Sequence, residues 1–139
     1  MKSDDPQVWT DYYQRKKAQR LEEATAQWER MRRAGVRVDT DLIIDFLMFG
    51  TSREAVEALA SQLSENYQAE VLEDARPGYW LVKATTRPYA ITLGDGQLNA
   101  WVEFVADVAQ SHACVFSTWK LEAPDLGQSF LSEQVESAS

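Results

Sequence analysis

Residues 41–50 read Asp41-Leu42-Ile43-Ile44-Asp45-Phe46-Leu47-Met48-Phe49-Gly50 and form the densest apolar run of the chain. The run is rich in Ile, Leu and Phe and is closed by a glycine, which is typical of a strand. Because few of its positions are polar, we expect this strand to be buried on both faces and therefore to lie in the middle of a sheet. The other elements can be placed around it.

Two helices and three more strands are predicted after this run. The segment Thr51-Ser52-Arg53-Glu54 has the pattern of a capping box and predicts a helix that starts after Thr51 and ends near Asn66. Alternating or β-branched segments predict strands at 67–72, 79–86 and 114–121. A second helix, with Asp95 as its cap, is predicted to end near Ser111. The order βαββαβ predicts an α+β fold, a ferredoxin-like sandwich with an additional long N-terminal helix.

The N-terminal segment is predicted to be one long helix, because no glycine lies between Pro6 and Arg33. Its apolar positions recur at helical spacing and form a stripe that must pack on something. The stripe consists of Trp9, Tyr13, Leu21, Ala24, Trp28 and Met31. Three roles are open: covering the exposed face of the protein's own sheet, forming a homodimer, or stacking RNA bases beside the neighbouring cations.

The chain therefore divides into three predicted regions. Residues 1–37 form a basic amphipathic helix, and residues 38–123 form the ferredoxin-like domain. Residues 124–139 are rich in Ser, Glu, Gln and Gly, which predicts a flexible C-terminal tail.

Charge is distributed unevenly along the chain. Residues 1–40 contain nine Lys and Arg against seven Asp and Glu, whereas residues 41–139 contain five against fifteen. An acidic body argues against direct nucleic-acid binding and favours a basic protein partner. The candidate partner-binding acids are Glu70, Glu73 and Asp74. The sequence lacks a membrane-length apolar run and a signal peptide, so we expect a cytoplasmic protein with no contact to membranes.

The sequence contains no recognisable catalytic, metal or cofactor motif. His112 and Cys114 are two residues apart and could form a thiolate pair, but one His and one Cys are too few for a zinc site. We therefore expect a protein that is not an enzyme and carries no cofactor. An alternative is a small-molecule-binding domain with an aromatic pocket around Trp80, Trp101 or Trp119.

The succession of elements resembles the RraB-like family, named for regulators of ribonuclease E activity. The resemblance rests on the run at 45–49, the helix with Ala55, Leu59 and Leu63, the strand at 67–71 and the strand Trp80-Leu81-Val82. It covers roughly residues 38 to 122. It implies a small cytosolic α+β protein that binds an RNA-degrading endonuclease of the ribonuclease E type and lowers its activity by contact. The family's final strand usually carries Asp-Gly-Trp, whereas here only Trp119 corresponds, and the basic N-terminal helix is a further departure.

Overall fold

The structure of the protein, a computed structural model, covers residues 6–132 and the side chains of residues 8–132. This part of the chain contains three α-helices and five β-strands. The helices are α1 (Pro6–Arg33), α2 (Arg53–Leu63) and α3 (Gln97–Ser111). The strands are β1 (Ile43–Gly50), β2 (Gln68–Glu73), β3 (Trp80–Thr85), β4 (Val115–Ala123) and β5 (Gln128–Leu131), with a 3-10 turn at Pro124–Leu126. The predicted α+β class and the long N-terminal helix are confirmed.

The strands form one antiparallel sheet in the order β2-β3-β1-β4-β5. Strand β1 is central, as its apolar sequence predicted. The expectation that it is buried on both faces was wrong, because its side chains alternate between full and partial burial. Ile44, Phe46 and Met48 are fully buried, whereas Asp45 and Leu47 are only half-buried. The sheet therefore has one covered face and one open face.

All three helices lie on the covered face. Val56 of α2 packs beside Gly50, and Trp101 of α3 meets the ring of Phe46 edge to face at 5.1 Å. Helix α1 contacts α3, β4 and β5 on this same side. Of the roles open for α1, covering the open face is excluded for the part that packs on α3, β4 and β5. No helix within residues 6–132 is long and apolar enough to span a membrane.

Helix α1 is joined to the sheet by a buried polar side chain. Gln27 is fully buried; its amide nitrogen donates to the carbonyl of Phe130 at 2.8 Å, and its oxygen accepts from Trp119 Nε1 at 2.6 Å. Buried polar groups are stable only when they are paired in this way. Ala24 and Met31, one turn away on either side, are also fully buried. Helix α1 is therefore part of the core and not an appendage.

The C-terminal segment differs from the predicted flexible tail. Gln128–Leu131 pairs with β4 as a fifth strand, and Phe130 is buried against α1. The composition of this segment is polar, but the single aromatic residue is sufficient to anchor it. The part of the predicted tail at 133–139 lies outside the described residues.

Two predicted helix caps are displaced by one residue. The N-cap of α2 is Ser52, whose hydroxyl accepts from the amide of Ala55, and the N-cap of α3 is Gly96. Asp95 instead accepts hydrogen bonds from Trp28 and Arg32 of α1. Its carboxylate thus fixes the end of α1 beside the start of α3.

Candidate functional site

Most of the predicted stripe on α1 packs against the protein itself. Met31 is fully buried, and Leu21 and Trp28 pack against the core. Trp9 and Tyr13 lie near the N-terminal end of the helix, where Trp9 keeps 54% of its surface exposed. With respect to the side chains of residues 8–132, only this end of the stripe is exposed, so a homodimer that used the whole stripe would need to displace the core.

Two of the three predicted acidic residues are exposed on an edge strand. Glu70 and Glu73 belong to β2, whose outer edge pairs with no strand in the described part of the chain. Neither carboxylate forms an ion pair with a described residue, and Lys83, directly opposite Glu70 in register, is not within ion-pair distance. We call Glu70, Glu73 and the free side of β2 the acidic edge. Asp74 differs, because Arg76 holds it in an ion pair.

At the opposite edge of the sheet, the end of β5 is contacted by α1. Arg30 of α1 donates to the carbonyl of Leu131, and Gln27 donates to that of Phe130, so α1 uses backbone acceptors of β5. Within residues 6–132 both terminal strands have an outer side that pairs with no strand, and the acidic edge differs from β5 in having no such contacts from α1.

The open face has an apolar end and a charged end. The register places Leu72, Leu81 and Phe49 in one row across β2, β3 and β1. Two rows further along lie Thr85, Asp45 and Lys120. Arg87 joins this charged end and bonds both Asp45 and Glu122.

Asp45 remains charged because of these neighbours. Burial alone would raise the pKa of Asp45, but hydrogen bonds from Thr85 and Arg87 and the charges of Arg87 and Lys120 outweigh it and lower the pKa. A lowered pKa suits a structural carboxylate and not a general acid near neutral pH. Through its hydrogen bonds and ion pairs, this cluster therefore links β1, β3 and β4 to one another and to Arg87 in the loop after β3.

The His112 and Cys114 pair does not form a thiolate site. Cys114 is buried, and burial raises the pKa of its thiol to about 11. Its sulfur faces the carbonyl of His112, and the His112 ring bonds Gln62 at 2.7 Å. The thiol thus packs as a small apolar group.

The three tryptophans of the predicted pocket do not surround a cavity. Trp119 is buried against Phe116, and the Trp101 indole donates to the hydroxyl of Tyr67. The ring of Trp80 is covered by the guanidinium of Arg53. All three side chains are used in packing, and of the three only Trp119 also lines a pocket, of about 200 Å³, on the sheet.

An aromatic cleft of about 800 Å³ is found elsewhere, between the start of α1 and one end of the sheet. We call it the aromatic cleft. Its lining residues are Trp9, Thr10, Tyr12, Tyr13, Phe49, Gly50, Thr51, Tyr79, Gln110, Ala113 and Val115. Trp9 and Tyr13 were singled out in the sequence, but Phe49, Tyr79 and Gln110 were not, because only the packing of α1 beside α3 brings these distant residues together. No local motif indicates them.

The described residues include no group of three or more His, Cys, Asp or Glu side chains placed to hold a metal ion. No protein-family model matches the chain, and a search of curated proteins finds no relative.

Proposed function

We propose that this chain is a non-enzymatic regulatory module that binds a protein partner through the acidic edge. The observation that carries the proposal is an exposed edge strand with two acids, Glu70 and Glu73, that no described cation neutralises. A free edge can accept a strand from another chain through main-chain hydrogen bonds. Two unneutralised carboxylates beside that edge favour a basic segment as the added strand.

The resemblance to the RraB-like family supplies a candidate for the partner. It suggests an RNA-degrading endonuclease of the ribonuclease E type, which the module would bind and inhibit in the cytoplasm without catalysis of its own. The strand order β4-β1-β3-β2 with α2 and α3 on one face supports a ferredoxin-like arrangement. In this proposal β5 and α1 are additions to that arrangement.

The test is a binding and inhibition assay with a purified endonuclease of the ribonuclease E type. The full chain is expected to lower the rate of RNA cleavage, and binding is expected to weaken as salt is raised. The double variant Glu70→Gln/Glu73→Gln should weaken binding about fivefold or more, since two favourable interfacial charges are removed.

The matched control removes two exposed carboxylates elsewhere. Glu22 on α1 and Asp125 in the 3-10 turn are exposed, and Glu22→Gln/Asp125→Asn changes the net charge by the same amount. Equal weakening by both double variants would show a general charge effect and exclude the acidic edge. If the endonuclease does not bind the chain and its rate of RNA cleavage is unchanged, the regulatory proposal should be abandoned.

A further inference from the structure

We propose that the aromatic cleft binds a nucleotide, whose base packs among the aromatic rings and whose phosphate is held by cations at the rim. The inference concerns a different surface from the acidic edge and does not depend on an endonuclease partner. Its support comes from the shape of the cleft, its unpaired polar groups and its local charge.

The size and lining of the cleft suit a small planar ligand. A volume of about 800 Å³ lies in the range of roughly 300–1,000 Å³ that is usual for ligand pockets. Trp9 and Tyr12 meet edge to face at 6.1 Å, and Phe49 and Tyr79 do so at 6.2 Å on the sheet side. Bases stack on exposed rings of this kind, and the Trp9 indole is more than half exposed.

Neutral polar groups lie between the rings. Thr51, Gln110 and the Tyr13 hydroxyl line the cleft, and none of the three side chains forms a hydrogen bond with another described residue. The Tyr13 hydroxyl is protonated at neutral pH and can donate, and burial raises its pKa further. Hydroxyls and amides can donate or accept, as the edge of a nucleobase requires.

Two cations outside the lining lie over rings that line the cleft, and one of them, Arg76, is ion-paired with Asp74. The Lys16 ammonium lies 5.8 Å from the centre of the Tyr12 ring, and the Arg76 guanidinium lies 4.2 Å from that of Tyr79. Arg76 uses Nε to bind Asp74, and Lys16 forms no ion pair with a described residue. Although the whole chain carries a formal charge of −8, charges beyond about 8 Å are screened at physiological salt.

The rim charges favour a nucleotide over a proline-rich peptide, which also binds aromatic grooves. A proline-rich segment offers no anion to Lys16 and Arg76, whereas a phosphate group does. The same chemistry is present in a free nucleotide and in a single strand of RNA. The experiment must therefore separate these two sources.

The experiment is calorimetric titration of the full chain at low salt with 5′-AMP and 5′-UMP. Adenosine and inorganic phosphate serve as partial ligands, and short oligoadenylate represents RNA. At least one mononucleotide should bind saturably, and adenosine and phosphate should each bind at least about tenfold more weakly.

Two variants and two matched controls locate the site. Trp9→Ala should weaken nucleotide binding at least about tenfold, because a stacking ring is lost. Lys16→Gln should weaken it about threefold. Phe104→Ala removes an exposed aromatic ring of α3 outside the cleft, and Arg15→Gln removes the neighbouring cation of α1. Neither control should change the affinity.

The outcomes distinguish an RNA strand from a free nucleotide and show whether the cleft binds a nucleotide at all. Tighter binding of oligoadenylate than of 5′-AMP, lost in Trp9→Ala, assigns an RNA strand, and equal or weaker binding assigns the free nucleotide. The proposal is overturned by unchanged affinity in Trp9→Ala, by adenosine binding as tightly as 5′-AMP, or by absence of saturable binding. Binding of decaproline in place of the nucleotides would also overturn it, in favour of a peptide groove.

Discussion

At the scale of single residues, Gly50 shows how closely strand β1 approaches its neighbours. A Cβ atom at this position would lie 2.9 Å from the sulfur of Cys114 and 3.0 Å from a methyl group of Val56. Gly50→Ala should therefore lower the free energy of unfolding by about 1–3 kcal/mol, because the packed core must shift. Chemical denaturation measures this difference.

Cys114→Ala provides the coupling test for that contact. If the sulfur causes the strain, Cys114→Ala should cost less in the Gly50→Ala background than in the natural sequence. Strictly additive changes would contradict the contact.

Asp45 provides a pH-dependent prediction. Because its pKa is lowered in the folded protein, its stabilising contribution is present above the ordinary pKa of 3.8 and is lost as the pH falls through the lowered value. Asp45→Asn should cost about 1 kcal/mol at neutral pH, as expected for an accessible ion-pair cluster. The difference between variant and natural protein should shrink below about pH 4.

Denaturation curves at several pH values test this prediction. Asp125→Asn is the control, because Asp125 is exposed and forms no ion pair with a described residue. A stability difference for Asp45→Asn that stays constant down to low pH would contradict the role of the carboxylate charge.

At the scale of elements, strand β5 depends on a single buried side chain. Phe130 is 5% exposed, whereas its neighbour Leu131 is 41% exposed. Phe130→Ala should lower the free energy of unfolding by about 3 kcal/mol, and Leu131→Ala by less than about 1 kcal/mol. Equal effects of the two changes would mean that β5 does not contribute to the core.

The elements differ in how well their sequences predict them. The four strands and two helices of the central region are predicted because β1 is a dense apolar run and the other elements show a period of apolar residues, as in α3 with Val102 and Val105. Strand β5 is not predicted, because three of its four residues are exposed and the segment shows no alternation of apolar and polar residues. The cap of α2 was placed one residue early because Thr51 and Ser52 are equally suitable by type.

At the scale of the whole molecule, α1 is part of the core, and we expect the fold to depend on it. Helix α1 supplies Ala24, Gln27 and Met31 to the core. Deleting residues 1–34 should therefore abolish cooperative unfolding, because Trp119 loses its hydrogen-bond acceptor and apolar surface is exposed. Circular dichroism during thermal unfolding tests this outcome. A shortened chain that still unfolds cooperatively would show that α1 is only an appendage.

The candidate sites also belong to this scale. The sequence indicated Glu70 and Glu73 as exposed acids, but only the strand order shows that they lie on a free edge. The aromatic cleft joins Trp9 of α1 with Phe49 of β1 and Tyr79 beside β3. Residues separated by 30 or more positions (49 to 79) show no pattern in one sequence that would indicate their contact.

The sequence by itself determined the α+β class and the length of α1, since these follow from local periodicity and from the absence of glycine. The central position of β1 was predicted from its apolar density, although only one of its faces is fully buried. The tertiary structure alone decided which face of the sheet α1 covers and which edge stays free. Several faces are compatible with an amphipathic helix, and the choice is made by specific pairings such as Gln27 with Trp119 and Asp95 with Arg32. Such pairings depend on side chains distant in sequence, and packing and hydrogen bonding select among them only once the chain is folded.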